Sequence, residues 1–111
     1  MDRVRICALT DIPDGDSAGY SVKDGEFYRS LLIIRRGDTV IAYRNSCPHE
    51  GDRMEHARGK FLDEEKAHIL CASHGALFRI EDGVCIAGPC FGENLDPIVT
   101  AIEGGEVFVQ V

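Results

Sequence analysis

Two short stretches of the chain combine a cysteine with a histidine. The first is Cys47-Pro48-His49 and the second is Cys71-x-x-His74, with 21 residues between His49 and Cys71. Thiolate and imidazole groups bind zinc, iron and copper, so each stretch can supply one soft and one nitrogen ligand. Pro48 stiffens the first stretch because its ring fixes φ. Together they predict a metal site.

The order of the ligands bears on which metal is bound. Structural zinc sites group like ligands, as C-x2-4-C and H-x3-5-H, whereas each stretch here is mixed. If two such loops meet symmetrically, both cysteines can face one metal and both histidines another. A [2Fe-2S] cluster with two histidine ligands fits that description, and a zinc module stays open as the alternative. A Cys-His hydrolase is disfavoured, because no third orienting group is evident.

The composition limits the classes of partner. A chain of 111 residues with a net charge of -7 predicts one acidic domain, which would repel nucleic acid and anionic membranes. A basic protein partner is easier to accommodate. The first ten residues carry charges and no long apolar run, which indicates a soluble, cytoplasmic protein. Five cysteines, an odd number, make a disulfide framework a poor explanation.

The elements that must position the two stretches are predicted to be β-strands. Short runs rich in β-branched and aromatic residues alternate with turn signals, and no segment makes a convincing helix. Hairpin turns are expected at Asp24-Gly25, Gly37-Asp38 and Gly104-Gly105. The predicted strands are 4–9, 20–22, 27–36, 39–44, 77–80, 84–86, 97–102 and 106–111.

Residues 46–76 differ from the rest of the chain. This stretch is more polar and offers only 60–62 and 67–70 as short strand candidates. We therefore predict a single domain, 1–111, in which 46–76 is an inserted subdomain that carries both Cys-His stretches. Residues 1–45 and 77–111 would form the β base.

These motifs resemble those of Rieske proteins. The likeness rests on the CPH and CASH motifs in this order, on HGALF at 74–78 and on Gly88-Pro89. It implies an all-β fold, an antiparallel sandwich or barrel with a small inserted cluster-binding subdomain, and one [2Fe-2S] cluster per chain. By this resemblance Cys47 and Cys71 bind the buried iron, His49 and His74 bind the outer iron, and Gly88-Pro89 covers the cluster from one side.

Among Rieske proteins, the chain is most similar to the small ferredoxins that serve bacterial ring-hydroxylating oxygenases. That resemblance implies an electron-transfer protein and not an enzyme, which passes one electron from a reductase to a terminal oxygenase or similar enzyme. The contact surface would centre on the histidine tip, near Pro48, Glu50, Gly75 and Phe91. The alternatives are a small subunit of a larger reductase, such as an NADH-dependent nitrite reductase, and the zinc module.

The sequence also departs from the high-potential Rieske proteins. Where those carry two further cysteines joined as a disulfide, this chain has Asp52 and Ser73. Where they carry a serine and a tyrosine that donate hydrogen bonds to sulfur, it has Ala76 and Phe78. Fewer donors stabilise the reduced state less, so we predict a reduction potential of about -150 mV.

The remaining cysteines and histidines have simpler interpretations. Cys7, Cys85 and Cys90 are predicted to be small buried apolar residues. Cys90, which follows Gly88-Pro89, is also a candidate for a sulfur that lies close to the cluster without binding it, or for an oxidation-sensitive thiol. His56 and His68 lack a partner cysteine at matching spacing. We expect them to lie on the surface or in a strand.

Overall fold

The computed structural model of the chain describes residues 3–24, 26–46, 48, 60–71 and 75–110. Within these ranges ten strands form three antiparallel sheets, and Leu9–Asp11, between the first and second strands, forms a single-turn 3₁₀ helix. The strands are β1 (Arg3–Ala8), β2 (Ser17–Asp24), β3 (Phe27–Arg36), β4 (Thr39–Arg44), β5 (His68–Cys71), β6 (Ala76–Arg79), β7 (Cys85–Ala87), β8 (Pro97–Ile98), β9 (Thr100–Glu103) and β10 (Glu106–Gln110).

The central sheet has the order β2-β3-β4-β8. Its β3–β4 hairpin turns at Gly37-Asp38, where Gly37 adopts a φ of +60° that suits glycine in a two-residue turn. Four consecutive residues of β3, Leu31–Ile34, are all buried. Because neighbouring side chains of a strand point to opposite faces, both faces of this sheet must be covered.

The terminal sheet, β1-β10-β9, covers one face. Ile33 and Ala42 of the central sheet share an apolar cluster with Cys7 and Val107 of the terminal sheet. The β9–β10 hairpin turns through Gly104 and Gly105, both at positive φ (+57° and +77°), as a two-residue hairpin loop requires.

The small sheet, β5-β6-β7, covers the opposite face. Leu32 and Tyr43 point to that side and share a cluster with Phe61, Ile69 and Phe78. The described domain therefore has three layers, with the central sheet in the middle.

One hydrogen bond ties the small sheet to the central sheet. The buried Tyr43 hydroxyl donates to the Ile80 carbonyl at 2.7 Å, and burial raises the pKa of Tyr43 to about 12. Gly83, at a φ of +73°, lies so close to this ring that an added Cβ would be 2.7 Å from Tyr43 Cε1. The turn between β6 and β7 is thus fixed against the tyrosine.

The all-β, antiparallel prediction is confirmed, with small differences in extent. The predicted strand 20–22 extends over Ser17–Asp24, because every one of its residues pairs with β3. The first strand ends at Ala8 instead of residue 9, where the Ala8 N–H donates to Asp11 Oδ2 at 3.0 Å. The predicted strand 97–102 is divided at Val99 into β8 and β9.

The division into an inserted subdomain, 46–76, and a β base remains a prediction. The small sheet crosses the predicted boundary between residues 76 and 77, because β5 pairs with β6 from Cys71↔Ala76 to His68↔Arg79. Among the residues that the structure describes, none forms a helix long and apolar enough to cross a bilayer.

Candidate metal centre

Cys71 is the one predicted ligand that lies within the described residues. It ends β5, whose alternating burial turns Ile69 and Cys71 inward, and its side chain is 0% exposed. Its neighbours in the apolar cluster include Ala76 and Phe78. The site therefore offers a sulfur ligand in surroundings that exclude water.

The second loop is closed by a hydrogen bond between its two ends. The Gly75 N–H donates to the Cys71 carbonyl at 2.8 Å, and Cys71 pairs with Ala76 across β5 and β6. Gly75 has a φ of +69°, with open space where a Cβ would be, so the glycine serves the backbone conformation and not close packing. The two ends of the loop, Cys71 and Gly75, are thereby held together.

The approach to the first loop is fixed by Asn45. Its N–H donates to the Ser30 carbonyl at 2.9 Å, and its side-chain amide nitrogen donates to Ser30 Oγ at 3.1 Å. Asn45 is buried, and the chain passes from it through Ser46 into the Cys47-Pro48-His49 stretch. The start of the first loop is therefore anchored to β3.

The Gly88-Pro89 segment lies against the small sheet beside Cys71. Gly88 has a φ of +100°, and an added Cβ would be 2.8 Å from Ala76 Cα and 3.1 Å from Ala76 Cβ. Because Ala76 is the strand partner of Cys71, only one residue separates this segment from the buried thiol. A side chain at position 88 could not fit without moving the backbone.

A hairpin leads the chain into β5, and Asp63 organises its turn. Leu62 pairs with Ile69, and Asp63 Oδ1 accepts the N–H groups of Ala67 and His68 at 2.9 and 3.2 Å. Burial favours the neutral acid, but these N–H groups and the His68 ring, 3.2 Å from Oδ2, lower the pKa of Asp63 below its usual value. His68 is thus a strand residue, as expected, and its ring contacts Asp63.

Cys7, Cys85 and Cys90 are all buried, as predicted, at 3%, 1% and 1% exposure. Cys7 packs between the terminal and central sheets. Cys85 and Cys90 lie in the small-sheet cluster, with their Sγ atoms 3.1 Å apart. The sequence did not predict this contact.

Cys47, His49 and His74 lie outside the described residues, as do Glu50, Asp52, Ser73 and His56. Accordingly, no group of three or more potential metal ligands is found among 3–24, 26–46, 48, 60–71 and 75–110. The described residues fit a cluster site. Cys71 supplies a buried thiol at the end of β5, and Gly88 packs so closely against Ala76 of β6 that a Cβ would fill the space between them.

A comparison with protein-family models shows which family the chain belongs to. Residues 2–103 match the model described as the Rieske [2Fe-2S] domain. The chain belongs to the Rieske family. As a Rieske domain it has a [2Fe-2S] cluster as its cofactor, which decides against the zinc alternative.

Solved structures with the same fold include electron-transfer proteins. The ferredoxin of carbazole 1,9a-dioxygenase from Nocardioides aromaticivorans IC177 is 25% identical, with a TM-score of 0.77 over 98% of this Rieske chain and 97% of that chain. The ferredoxin of Sphingomonas yanoikuyae B1 is 22% identical, with a TM-score of 0.72 over 99% of both chains. No curated protein matches the sequence.

The same fold also occurs within a larger protein. The terminal oxygenase of carbazole 1,9a-dioxygenase from Novosphingobium sp. KA1 is 20% identical, with a TM-score of 0.80 over 98% of this Rieske chain but only 29% of that chain. Being under 25% identical, this likeness and that to the Sphingomonas ferredoxin show the fold alone.

Proposed function

We propose that the chain is a one-electron carrier that passes electrons from a reductase to a terminal oxygenase or a similar enzyme. The observation that supports this most directly is the match over 97% of a dioxygenase ferredoxin, against 29% of an oxygenase. The chain corresponds to the carrier and to the Rieske part of the oxygenase, and not to the remainder of that enzyme. On this proposal the residues 1–111 transfer electrons, as the ferredoxin does, and catalyse no reaction of their own.

The four ligands in this proposal are Cys47, His49, Cys71 and His74. When bound, the cluster would accept and release one electron. The chain's own residues keep the site dry and rigid: Cys71 is fully buried, Gly75 closes its loop, and Gly88 packs against Ala76. A rigid apolar surrounding reduces the rearrangement of protein and solvent that accompanies a change of charge.

The contact surface for redox partners is proposed to lie around Pro48, Glu50, Gly75 and Phe91. Phe91 is 73% exposed, and its N–H donates to the Gly88 carbonyl at 3.2 Å, so its backbone is fixed to the segment beside the small sheet. A rigid exposed aromatic residue is a common anchor in a small transient interface. The net charge of -7 favours a basic partner surface.

We also propose that the protein is cytoplasmic. An odd number of cysteines, of which Cys7 and Cys85 are buried thiols, suits a reducing compartment.

The cofactor and its ligands are tested together. After anaerobic purification, metal analysis and electron paramagnetic resonance of the dithionite-reduced protein are expected to show a [2Fe-2S] cluster, and a redox titration is expected to fit a one-electron process. Cys71→Ala and His74→Ala are expected to lose the signal. Cys7→Ala, which removes a buried thiol, and His56→Ala, which removes an imidazole outside the two motifs, are expected to keep it. A colourless protein that contains zinc would refute the proposal.

Electron delivery is tested with cytochrome c, a basic one-electron acceptor. Stopped-flow rates of its reduction are expected to fall as salt is added, because screening weakens attraction between opposite charges. Phe91→Ala is expected to slow the reaction, whereas Val99→Ala, which shortens an apolar side chain that is 60% exposed beside the terminal sheet, is expected to leave it unchanged. Equal rates for both variants would argue against a contact at Phe91.

A further inference from the structure

Two cysteines outside the predicted ligand set lie in direct contact. The Sγ atoms of Cys85 and Cys90 are 3.1 Å apart, about 1 Å more than a covalent disulfide bond. The Cys90 thiol is placed to donate to Cys85 Sγ, and the Cys85 thiol to the Ala87 carbonyl at 3.2 Å. Only a small movement separates this pair from the bonded distance.

The backbone between the two cysteines is held by its own hydrogen bonds. The Cys85 N–H donates to the Glu93 carbonyl at 2.7 Å, the Gly92 N–H to the Cys85 carbonyl at 3.1 Å, and the Glu93 N–H to the Cys90 carbonyl at 2.9 Å. The turn that brings the sulfurs together is therefore set by the backbone. Reaction partners held in contact in this way have high effective concentrations.

The cover over Cys90 is thin. Cys90 is 1% exposed, yet the residues on either side of it, Gly88-Pro89 and 91–94, are all exposed. Uncovering its sulfur therefore requires the opening of one surface turn and not of the core. A small neutral oxidant can use such an opening more readily than a bulky thiol reagent.

We propose that Cys85 and Cys90 form a dithiol that hydrogen peroxide oxidises to an intrachain disulfide. This assigns the pair a modification site that lies beyond the electron-carrier function and does not depend on it. In the first step the sulfur of Cys90 attacks peroxide, the O–O bond breaks, and a sulfenic acid and one water form. In the second step the Cys85 sulfur displaces the hydroxyl group as a second water. Two thiols lose two electrons and two protons, and one peroxide becomes two waters.

Contact between the sulfurs determines which product forms. A sulfenic acid on Cys90 meets the Cys85 thiol at once, so condensation precedes further oxidation to sulfinic or sulfonic acid. A lone buried thiol, such as Cys7, has no such partner cysteine within its apolar cluster. The disulfide would tie together the two ends of the segment that includes Gly88, which packs against Ala76.

The test uses the holoprotein, treated with a small molar excess of hydrogen peroxide and quenched with catalase. The protein is then unfolded in the alkylating reagent N-ethylmaleimide and digested with trypsin. The peptide that follows Arg79, residues 80–111, contains no Lys or Arg, and Cys85 and Cys90 are its two cysteines. After treatment, this peptide is expected to be lighter by two hydrogen atoms and to carry no alkyl group. Dithiothreitol, added before alkylation, is expected to restore both alkyl groups.

Matched variants keep the proposal open to refutation. Cys7→Ala, which removes another buried thiol, is expected to leave the disulfide yield unchanged, whereas Cys85→Ala and Cys90→Ala are expected to abolish it. The proposal is overturned if wild-type protein gives no linked peptide while its visible cluster absorption remains intact. It is also overturned if the linked peptide appears only after that absorption is lost, or if dithiothreitol does not reverse the change.

Discussion

Replacing Gly88 by alanine tests the close contact beside the candidate metal centre. The new Cβ would be 2.8 Å from Ala76 Cα, a backbone atom that cannot rotate away. Gly92→Ala is the matched control, because Gly92 lies in the same segment at a φ of +88°, close to the +100° of Gly88, with nothing within 4 Å of an added Cβ. Both variants incur the cost of about 1 to 2 kcal/mol for a side chain at positive φ. The difference between them measures the contact alone.

We expect this contact to cost about 1 to 3 kcal/mol, as overpacking in a well-packed interior typically does. For a domain of this size, each ~1 kcal/mol shifts the melting temperature by about 4 °C, so Gly88→Ala is expected to melt about 4 to 12 °C below Gly92→Ala. Circular dichroism follows the strands, and visible absorbance follows the cluster, in one heating scan at a fixed rate. Equal melting temperatures for the two variants would show that Gly88 is not pressed against β6.

Three further outcomes are expected. Tyr43→Phe removes the hydrogen bond to the buried Ile80 carbonyl and is expected to destabilise the fold by about 1 to 3 kcal/mol in thermal unfolding, whereas Tyr28→Phe, on an exposed ring, is expected to stay within about 0.5 kcal/mol. The folded state lowers the pKa of Asp63 below its usual value of 3.8. The contribution of this carboxylate to the free energy of unfolding is therefore complete well above pH 3.8 and is lost as pH falls through the folded pKa. The stability advantage of wild type over Asp63→Asn should shrink in acid, and a constant advantage would contradict this. Protein-film voltammetry is expected to give a reduction potential of about -150 mV for the wild type, and a value above about +100 mV would contradict the low-potential prediction. Ala76→Ser is expected to raise that potential by about 40 mV for each ~1 kcal/mol by which the added hydrogen bond stabilises the reduced cluster.

The strands of the central sheet could be predicted wherever local sequence decides them. The bounds of β3 and β4 were predicted correctly, because an unbroken apolar run and a Gly-Asp turn signal mark them. The start of β2 was missed. Ser17 and Gly19 are poor strand formers, and they are extended because β3 offers them partners at Ile34 and Leu32.

The motifs of the candidate site could be predicted from the sequence, but most of the contacts that hold the site in place could not. The spacing of Cys71 and His74 indicated the second loop, and Gly88-Pro89 indicated the segment that lies beside it. The hydrogen bonds from Asn45 to Ser30 and the contact between Cys85 and Cys90 depend on how separate segments meet. Asp63 gave a weak signal, because aspartate at the start of a turn often accepts backbone N–H groups.

The three-layer arrangement limits how far this site could be moved to another protein. Leu32, Ile34 and Tyr43 belong to the central sheet, yet they form part of the apolar cluster that contains Cys71. Excising 46–95, the stretch that carries both ligand motifs, would separate that cluster from its partners in β3 and β4. A transplanted site would therefore need the facing residues of a host strand redesigned to copy β3 and β4.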